Sequence, residues 1–267
     1  MSQRVLTELR GSIATVRLNR AEKRNGLDLP MFEAILEAGE ALRADPRVRV
    51  VILSGEGKAF CAGLDFQAFL ALGNEGMQRM LARGEGSAAN VAQRVAWIWR
   101  ELPMPVIAAV HGACFGGGLQ IALGADIRLV AKNAELSVME IVYGLIPDMS
   151  LSQTLLDLVR LDVAKELTFT GRIVGAEEAV RLGLATRVSE DPLEEATTLA
   201  EQIAARSPDA IRAAKRLLNE APRLAHKAAL ELETELQLGL LGTANQLEAV
   251  QARFEKRSGR FTDPRGA

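Results

Sequence analysis

Between Leu102 and Ala125 the chain carries no Asp, Glu, Lys or Arg. An uncharged run of that length either crosses a membrane or is buried inside a globular core. Pro103, Pro105 and five glycines interrupt it, so burial is the consistent reading. The run opens as an apolar strand, Val106 to Val110, and stops at His111-Gly112. Gly116, Gly117 and Gly118 follow, and Leu119 to Leu123 read as a small-residue helix. Strand, glycine turn and helix N-terminus together present backbone N–H groups to an anion or a developing oxyanion. The same order of residues also makes a tight strand-to-helix turn in an α/β core, and this segment alone does not separate the two.

The rest of the composition limits what such a core can serve. The 267 residues suffice for a substantial core, and 48% hydrophobic with 25% charged residues fits a globular chain. Lys and Arg number 32 against 34 Asp and Glu, a net charge of −2, which argues against a general nucleic-acid binder. Local basic patches remain open. Cys61 and Cys114 are the only cysteines and form no CxxC pair, so a reducing cytoplasm is expected rather than a disulfide scaffold. Met1 to Ser12 lacks the apolar segment of a secretory signal, and no membrane span is expected.

In chain order, Val5–Leu9 and Ile13–Leu18 flank Arg10-Gly11-Ser12 as a hairpin, followed by a polar loop, Asn19 to Asn25, with three cations. Leu29 to Leu42 has helical apolar spacing, and Val48 to Leu53 reads as a buried strand. Ser54 to Asp65 is a second glycine-bearing loop after a strand; Ala59 stands where a phosphate loop needs Ser or Thr. Residues 70 to 90 look mobile or variable, and Val91 to Leu102 forms an amphipathic helix whose Trp97 and Trp99 read as packing. Beyond Ile127–Ala131 and Leu136–Val138, the stretch Met139 to Asp148 sets Glu140 and Asp148 in apolar surroundings. Either acid could be a helix cap or an ion-pair partner, and Asp148 could cap a helix beginning near Ser150. A composition boundary falls near 190–195. It divides residues 1–192, a mixed α/β core, from residues 193–267, wholly helical with wide apolar faces that suit oligomerisation.

Much chemistry is missing. There is no GxGxxG after a strand and no GxSxG, and His111 and His226 are the only histidines, so a metal cluster or a serine–histidine triad has little to build from. Two glycine loops and a pair of acids remain. Those parts suit an enolate-like oxyanion held by N–H groups while a carboxylate moves protons.

Asn19–Asn25, Gly57–Asp65, Pro105–Gly112 with Gly116–Gly118, and Tyr143–Asp148 resemble the crotonase (enoyl-CoA hydratase/isomerase) superfamily. The similarity continues through Leu167–Arg172, Ala176–Ala179, Gly183-Leu184 and Phe254–Lys256. This resemblance implies an α/β spiral of repeated ββα turns with a helical C-terminal trimerisation region, in trimers or hexamers. It implies an acyl-CoA thioester substrate and no cofactor beyond the coenzyme A that the substrate carries. The thioester carbonyl would lie between the N–H groups of Leu64 and Gly117, with Gly116 beside them. Ala62, Gly63, Leu64 and Asp65 would line the adenine pocket. Arg20, Lys23 and Arg24 would sit near the phosphates and adenosine, joined by Phe254 or Lys256 from a neighbouring subunit.

The acids discriminate among reactions. Where hydratases of this family carry their first glutamate, this chain has Gln120; Glu140 matches the second. Asp148 matches the second carboxylate of Δ3,5-Δ2,4-dienoyl-CoA isomerases, whose members carry Asp where Gln120 stands. The resemblance thus points to a double-bond isomerase using Glu140 and Asp148. Hydration of 2-enoyl-CoA, or acyl-CoA binding without turnover, are the alternatives.

Overall fold

The computed structural model describes residues 3–84 and 87–264. Strands β1 (Val5–Arg10) and β2 (Ile13–Leu18) form the expected hairpin, turned at Gly11 in the left-handed region (φ 60). Helix α1 (Leu29–Ala44) is capped by Asp28, whose side chain accepts from the Met31 N–H, and Pro30 sits in its first turn. Next come β3 (Val50–Gly55), α2 (Phe66–Ala71), α3 (Gly73–Leu81) and α4 (Val91–Glu101). Asn90 and Gln93 close a capping box on α4. In the 70–90 stretch expected to be mobile or variable, residues 70–71 and 73–81 are helical, with Leu72 and Met80 packed against the core; residues 85 and 86 lie outside the described residues.

After β4 (Val106–Val110), β5 (Ala113–Phe115) and α5 (Gly117–Leu123), the pattern repeats as β6 (Ile127–Ala131), β7 (Glu135–Ser137) and α6 (Leu151–Thr154). Each repeat is a long strand, a short strand and a helix. One sheet runs in the order β1-β2-β3-β4-β6-β9 and a second, smaller one in the order β5-β7-β8. Here α7 is Leu161–Thr170, β8 Val174–Gly175, α8 Ala176–Leu182 and β9 Arg187–Ser189. From β2 to β9 the large sheet is parallel.

A parallel sheet must be covered on both faces, which is why β3 and β4 read as unbroken apolar runs. Alternate residues serve opposite layers. Val51, Leu53, Val106, Ala108 and Val110 join the main core with Phe32, Ile35, Ile98 and Trp99 from α1 and α4. Val50, Ile52, Ile107, Ala109 and Leu129 form a second layer under Ala196 and Ala200 of α9 (Pro192–Ala204). The helical region placed at 193–267 therefore divides. Its first helix, α9, completes the sheet's second face, and only the later helices leave it: α10 (Pro208–Glu220), α11 (His226–Leu240) and α12 (Ala244–Phe254). No helix among the described residues is long and apolar enough to cross a membrane.

One buried ion pair pins α10 to the body. Lys215 Nζ lies 2.8 Å from Asp126 Oδ2 and donates to the carbonyls of Met104 (2.9 Å) and Trp99 (3.3 Å). The same Asp126 oxygen accepts the Val106 N–H at 2.7 Å, where β4 begins. Truncating the lysine leaves these acceptors without their cation, so Lys215→Ala should lower unfolding stability by about 3 kcal/mol. The shift of the urea midpoint at constant slope checks it.

Candidate active site

Two loops that follow strands β3 and β4 are stitched together beneath the cavity. Cys61 and Cys114 pair in parallel, with Cys61 N–H donating to Ala113 O (3.1 Å) and Phe115 N–H donating to Cys61 O (3.0 Å). The approach is too close for larger residues. A Cβ at Gly118 would lie 2.3 Å from the Cys61 carbonyl oxygen, and one at Gly63 (φ 88) would lie 2.8 Å from Phe115 O. Both cysteines are free and buried, and burial pushes the Cys61 thiol up to about 12. They act as packing groups rather than nucleophiles.

On the other side of the first loop, Leu27 pairs in parallel with Leu64. The bonds run from Leu27 N–H to Gly63 O (2.8 Å) and from Asp65 N–H to Leu27 O (2.9 Å). In a parallel ladder that pattern leaves the intervening N–H, on Leu64, turned away from Leu27. It faces the side where Gly117 lies; the Cβ position of Gly63 is 3.7 Å from the Gly117 nitrogen. Gly117 opens α5, so its own N–H has no acceptor within the helix. The N-cap before it, Gly116, sits at φ 50, ψ −120, a conformation that favours glycine. Leu64 and Gly117 both line one cavity.

Two acids line the same cavity. Glu140 begins a 3-10 turn, Glu140–Tyr143, closed by Gly144 in the left-handed region. Its Oε1 accepts the Gln120 Nε2–H at 2.6 Å and packs on Gly116, where a Cβ would be only 3.2 Å away. Its Oε2 is buried and has no hydrogen-bond partner. Gln120, 1% exposed, lies one helical turn beyond Gly117, and its Oε1 accepts the Met149 N–H at 2.8 Å. The amide therefore fixes Glu140 with one end and the segment carrying Asp148 with the other. Burial raises the Glu140 carboxyl above the usual range; its hydrogen bonds, Gln120's among them, oppose the rise and the nearby Asp148 charge adds to it. Burial likewise raises Asp148, although that side chain sits at the open end of the cavity, where solvent limits the effect.

The cavity measures about 280 Å³. Ala62, Gly63, Leu64, Gly116, Gly117, Glu140 and Asp148 all line it, so the predicted oxyanion loops and acids come together. Its apolar wall was not anticipated: Phe32, Phe66, Phe69, Phe115 and Tyr143 reach it from α1, α2, β5 and the 3-10 turn. Phe66 and Phe69, three apart, were the available signal, set aside with the stretch that follows them.

Other expectations change. Arg20 is not a free cation for phosphates. It is buried, lies 2.8 Å from Asp65 and 3.4 Å from Asp28, and donates to Gly26 O, because two carboxylates in the same fold occupy its guanidinium. Asp65 is spent on that pair and on capping α2 through the Ala68 N–H. Lys23 and Arg24 are exposed beside them, and the loop is locked by buried Asn25, which donates to the carbonyls of Glu56, Ala59 and Phe60. Asp148 caps no helix: Ser150 occupies the N-cap of α6, in the left-handed region (φ 68). Phe254, 83% exposed, and exposed Lys256 lie at the end of α12 and do not line this chain's cavity.

Comparison with known proteins meets this geometry. The family model described as enoyl-CoA hydratase/isomerase matches residues 8–264. Mitochondrial Delta(3,5)-Delta(2,4)-dienoyl-CoA isomerase of Mus musculus is 31% identical over 94% of this chain and 79% of its own length. Crotonyl-CoA hydratase of Syntrophomonas wolfei is 31% identical over 97% of this chain and 98% of its own. The crystal structure of an enoyl-CoA hydratase from Bacillus anthracis superposes with a TM-score of 0.90 at 31% identity, covering 97% of this chain and 99% of that one. On the match over residues 8–264 and on this superposition, the chain belongs to the enoyl-CoA hydratase/isomerase family of enzymes, the crotonase superfamily, and has its fold.

Proposed function

We propose that this enzyme shifts a carbon–carbon double bond along an enoyl- or dienoyl-CoA thioester, without adding water. The thioester oxygen accepts from the Leu64 and Gly117 N–H groups. Glu140 Oε2 removes a proton from the carbon next to the thioester, leaving an enolate whose negative charge those donors stabilise. Asp148, on the same wall, returns a proton at the far end of the conjugated system. One proton leaves carbon and one arrives, so the oxidation level is unchanged and no redox cofactor is called for.

Gln120 carries this reading. Its amide nitrogen can only donate and its oxygen is committed to Met149, so it orients Glu140 through one oxygen and supplies no second carboxylate for activating water. Hydration is the second reading, favoured by the hydratase names of several relatives. Binding without turnover is disfavoured because both acids face the cavity. Lys23 and Arg24 are the cations open to the coenzyme's phosphates. We also propose a trimer or hexamer: Leu218, Leu230, Leu238, Leu247 and Phe254 stand exposed on α10 to α12. Sedimentation should show one of those two species, and a monomer at micromolar concentration would refute it.

Replacing Glu140 by Gln should reduce isomerisation about 10²- to 10⁴-fold while acyl-CoA affinity is kept, since both N–H donors remain. The same variant should be more stable than wild type at neutral pH. The folded state holds the Glu140 proton more tightly than the unfolded chain, so wild-type stability falls as pH rises past the ordinary carboxylate range, and the glutamine variant escapes that loss. Asp148→Asn should impair dienoyl shifts more than mono-enoyl ones, and unchanged rates for both would leave Asp148 without a part in the reaction. Thermal melts across pH and product analysis with 3-enoyl- and 3,5-dienoyl-CoA check these outcomes.

Gln120→Glu brings a carboxylate to the position 2.6 Å from Glu140 Oε1, where two acids must share a proton. The acid limb of the pH–rate profile should move to higher pH, and hydration of 2-enoyl-CoA should rise. Efficient hydration by the wild type, read as loss of enoyl absorbance, would replace the isomerase reading with the hydratase.

A further inference from the structure

The wall of the cavity says more about the substrate than the acids do. The chain is poor in aromatic residues, with 8 Phe, 2 Trp and 1 Tyr. Five of those rings nevertheless line this one cavity: Phe32, Phe66, Phe69, Phe115 and Tyr143. They arrive from four separate segments, so their convergence is a product of the fold and not of one aromatic-rich stretch. Phe32 is 1% exposed and belongs to the main core. Tyr143 is different. It is 54% exposed, and its ring is held against Phe66 with centroids 4.1 Å apart and planes inclined by 33°. Core packing does not account for an aromatic pair left half open at a cavity wall.

Met139 and Met149 add polarisable sulfur to the same wall, a favourable neighbour for the edge of a ring. Charge restricts the site in a second way. The ionisable groups lining it are Glu140, Asp148 and the Tyr143 phenol, and among the described lining residues there is no Lys, Arg or His. A carboxylate on the acyl chain would meet two acids and no cation among these lining residues.

Resting on the acyl-CoA reading above, we infer that the acyl group this site takes is uncharged and carries an aromatic ring. Flat rings on several sides offer face and edge contacts that a flexible alkyl chain of equal carbon count cannot match. The thioester end stays at Leu64 and Gly117, and the ring lies among the side chains of the wall.

Saturated thioesters test this without any reaction. The affinities of 4-phenylbutanoyl-CoA, 4-cyclohexylbutanoyl-CoA, decanoyl-CoA, hexanoyl-CoA and glutaryl-CoA are measured by calorimetry on the intact protein. The first three carry the same number of acyl carbons. The phenyl compound should bind about tenfold more tightly than the cyclohexyl and decanoyl compounds. Glutaryl-CoA should bind about a hundredfold more weakly than hexanoyl-CoA. In the double variant Phe66→Leu, Tyr143→Leu the phenyl-to-cyclohexyl preference should fall at least about threefold. Equal binding of the phenyl and cyclohexyl compounds, or tight glutaryl-CoA binding, overturns the inference while leaving the acyl-CoA reading intact. A preference unchanged in the double variant overturns its assignment to these rings. No binding of any thioester overturns the acyl-CoA reading itself.

Discussion

The two hydrogen bonds between Cys61 and the 113–115 backbone hold the site together. They draw the loops after β3 and β4 into contact, and the small sheet β5-β7-β8 continues from that contact. The Leu64 and Gly117 N–H groups are positioned by it, because each is free only through what its neighbours bond to. Glycine at 63 and 118 is the condition for this approach; any side chain there would push the loops apart and separate the donors. Oxyanion stabilisation requires such preorganisation, since donors that must move into place give back much of their advantage.

Gln120 extends the same economy to the acids. It rides on the helix that Gly117 opens, so one rigid element carries the N–H proposed for the thioester oxygen and the amide that orients Glu140. Fully buried, the amide uses a donor on Glu140 and its acceptor on the Met149 backbone. Glu140 is left with one oxygen held and the other free of protein partners, in surroundings that raise its proton affinity. An acid so placed is oriented without being ion-paired, which is the condition the proposed proton transfer needs.

The layers behind the site follow from the parallel sheet. Its central strands need apolar cover on both faces, and the second face is closed late in the chain by Ala196 and Ala200. Small residues let α9 lie close to the strands. The helices that follow depart from the body, tied back by Lys215 at the start of β4, with Leu218, Leu230, Leu238 and Leu247 facing outward. The site and the exposed helical face are thus opposite consequences of one architecture: one is enclosed by the repeats, the other is the surface they cannot cover.

Much of this was legible in the residues themselves. Apolar runs marked β3, β4 and β6, helical spacing marked α1 and α4, and the glycines marked the two loops, because periodicity and left-handed backbone are local requirements. The Glu140–Gln120–Asp148 set was likewise readable, as was the family. Other features depended on partners far away in sequence. The resemblance placed Arg20 near the phosphates without showing that Asp28 and Asp65 fold against its guanidinium, and the cap position open to Asp148 is taken by Ser150. The clamp by Gln120, the convergence of five rings and the packing of α9 on the sheet all join segments tens of residues apart. Residue type and spacing set which groups were present; only tertiary register decided which of them were paired, which were left free, and what they faced.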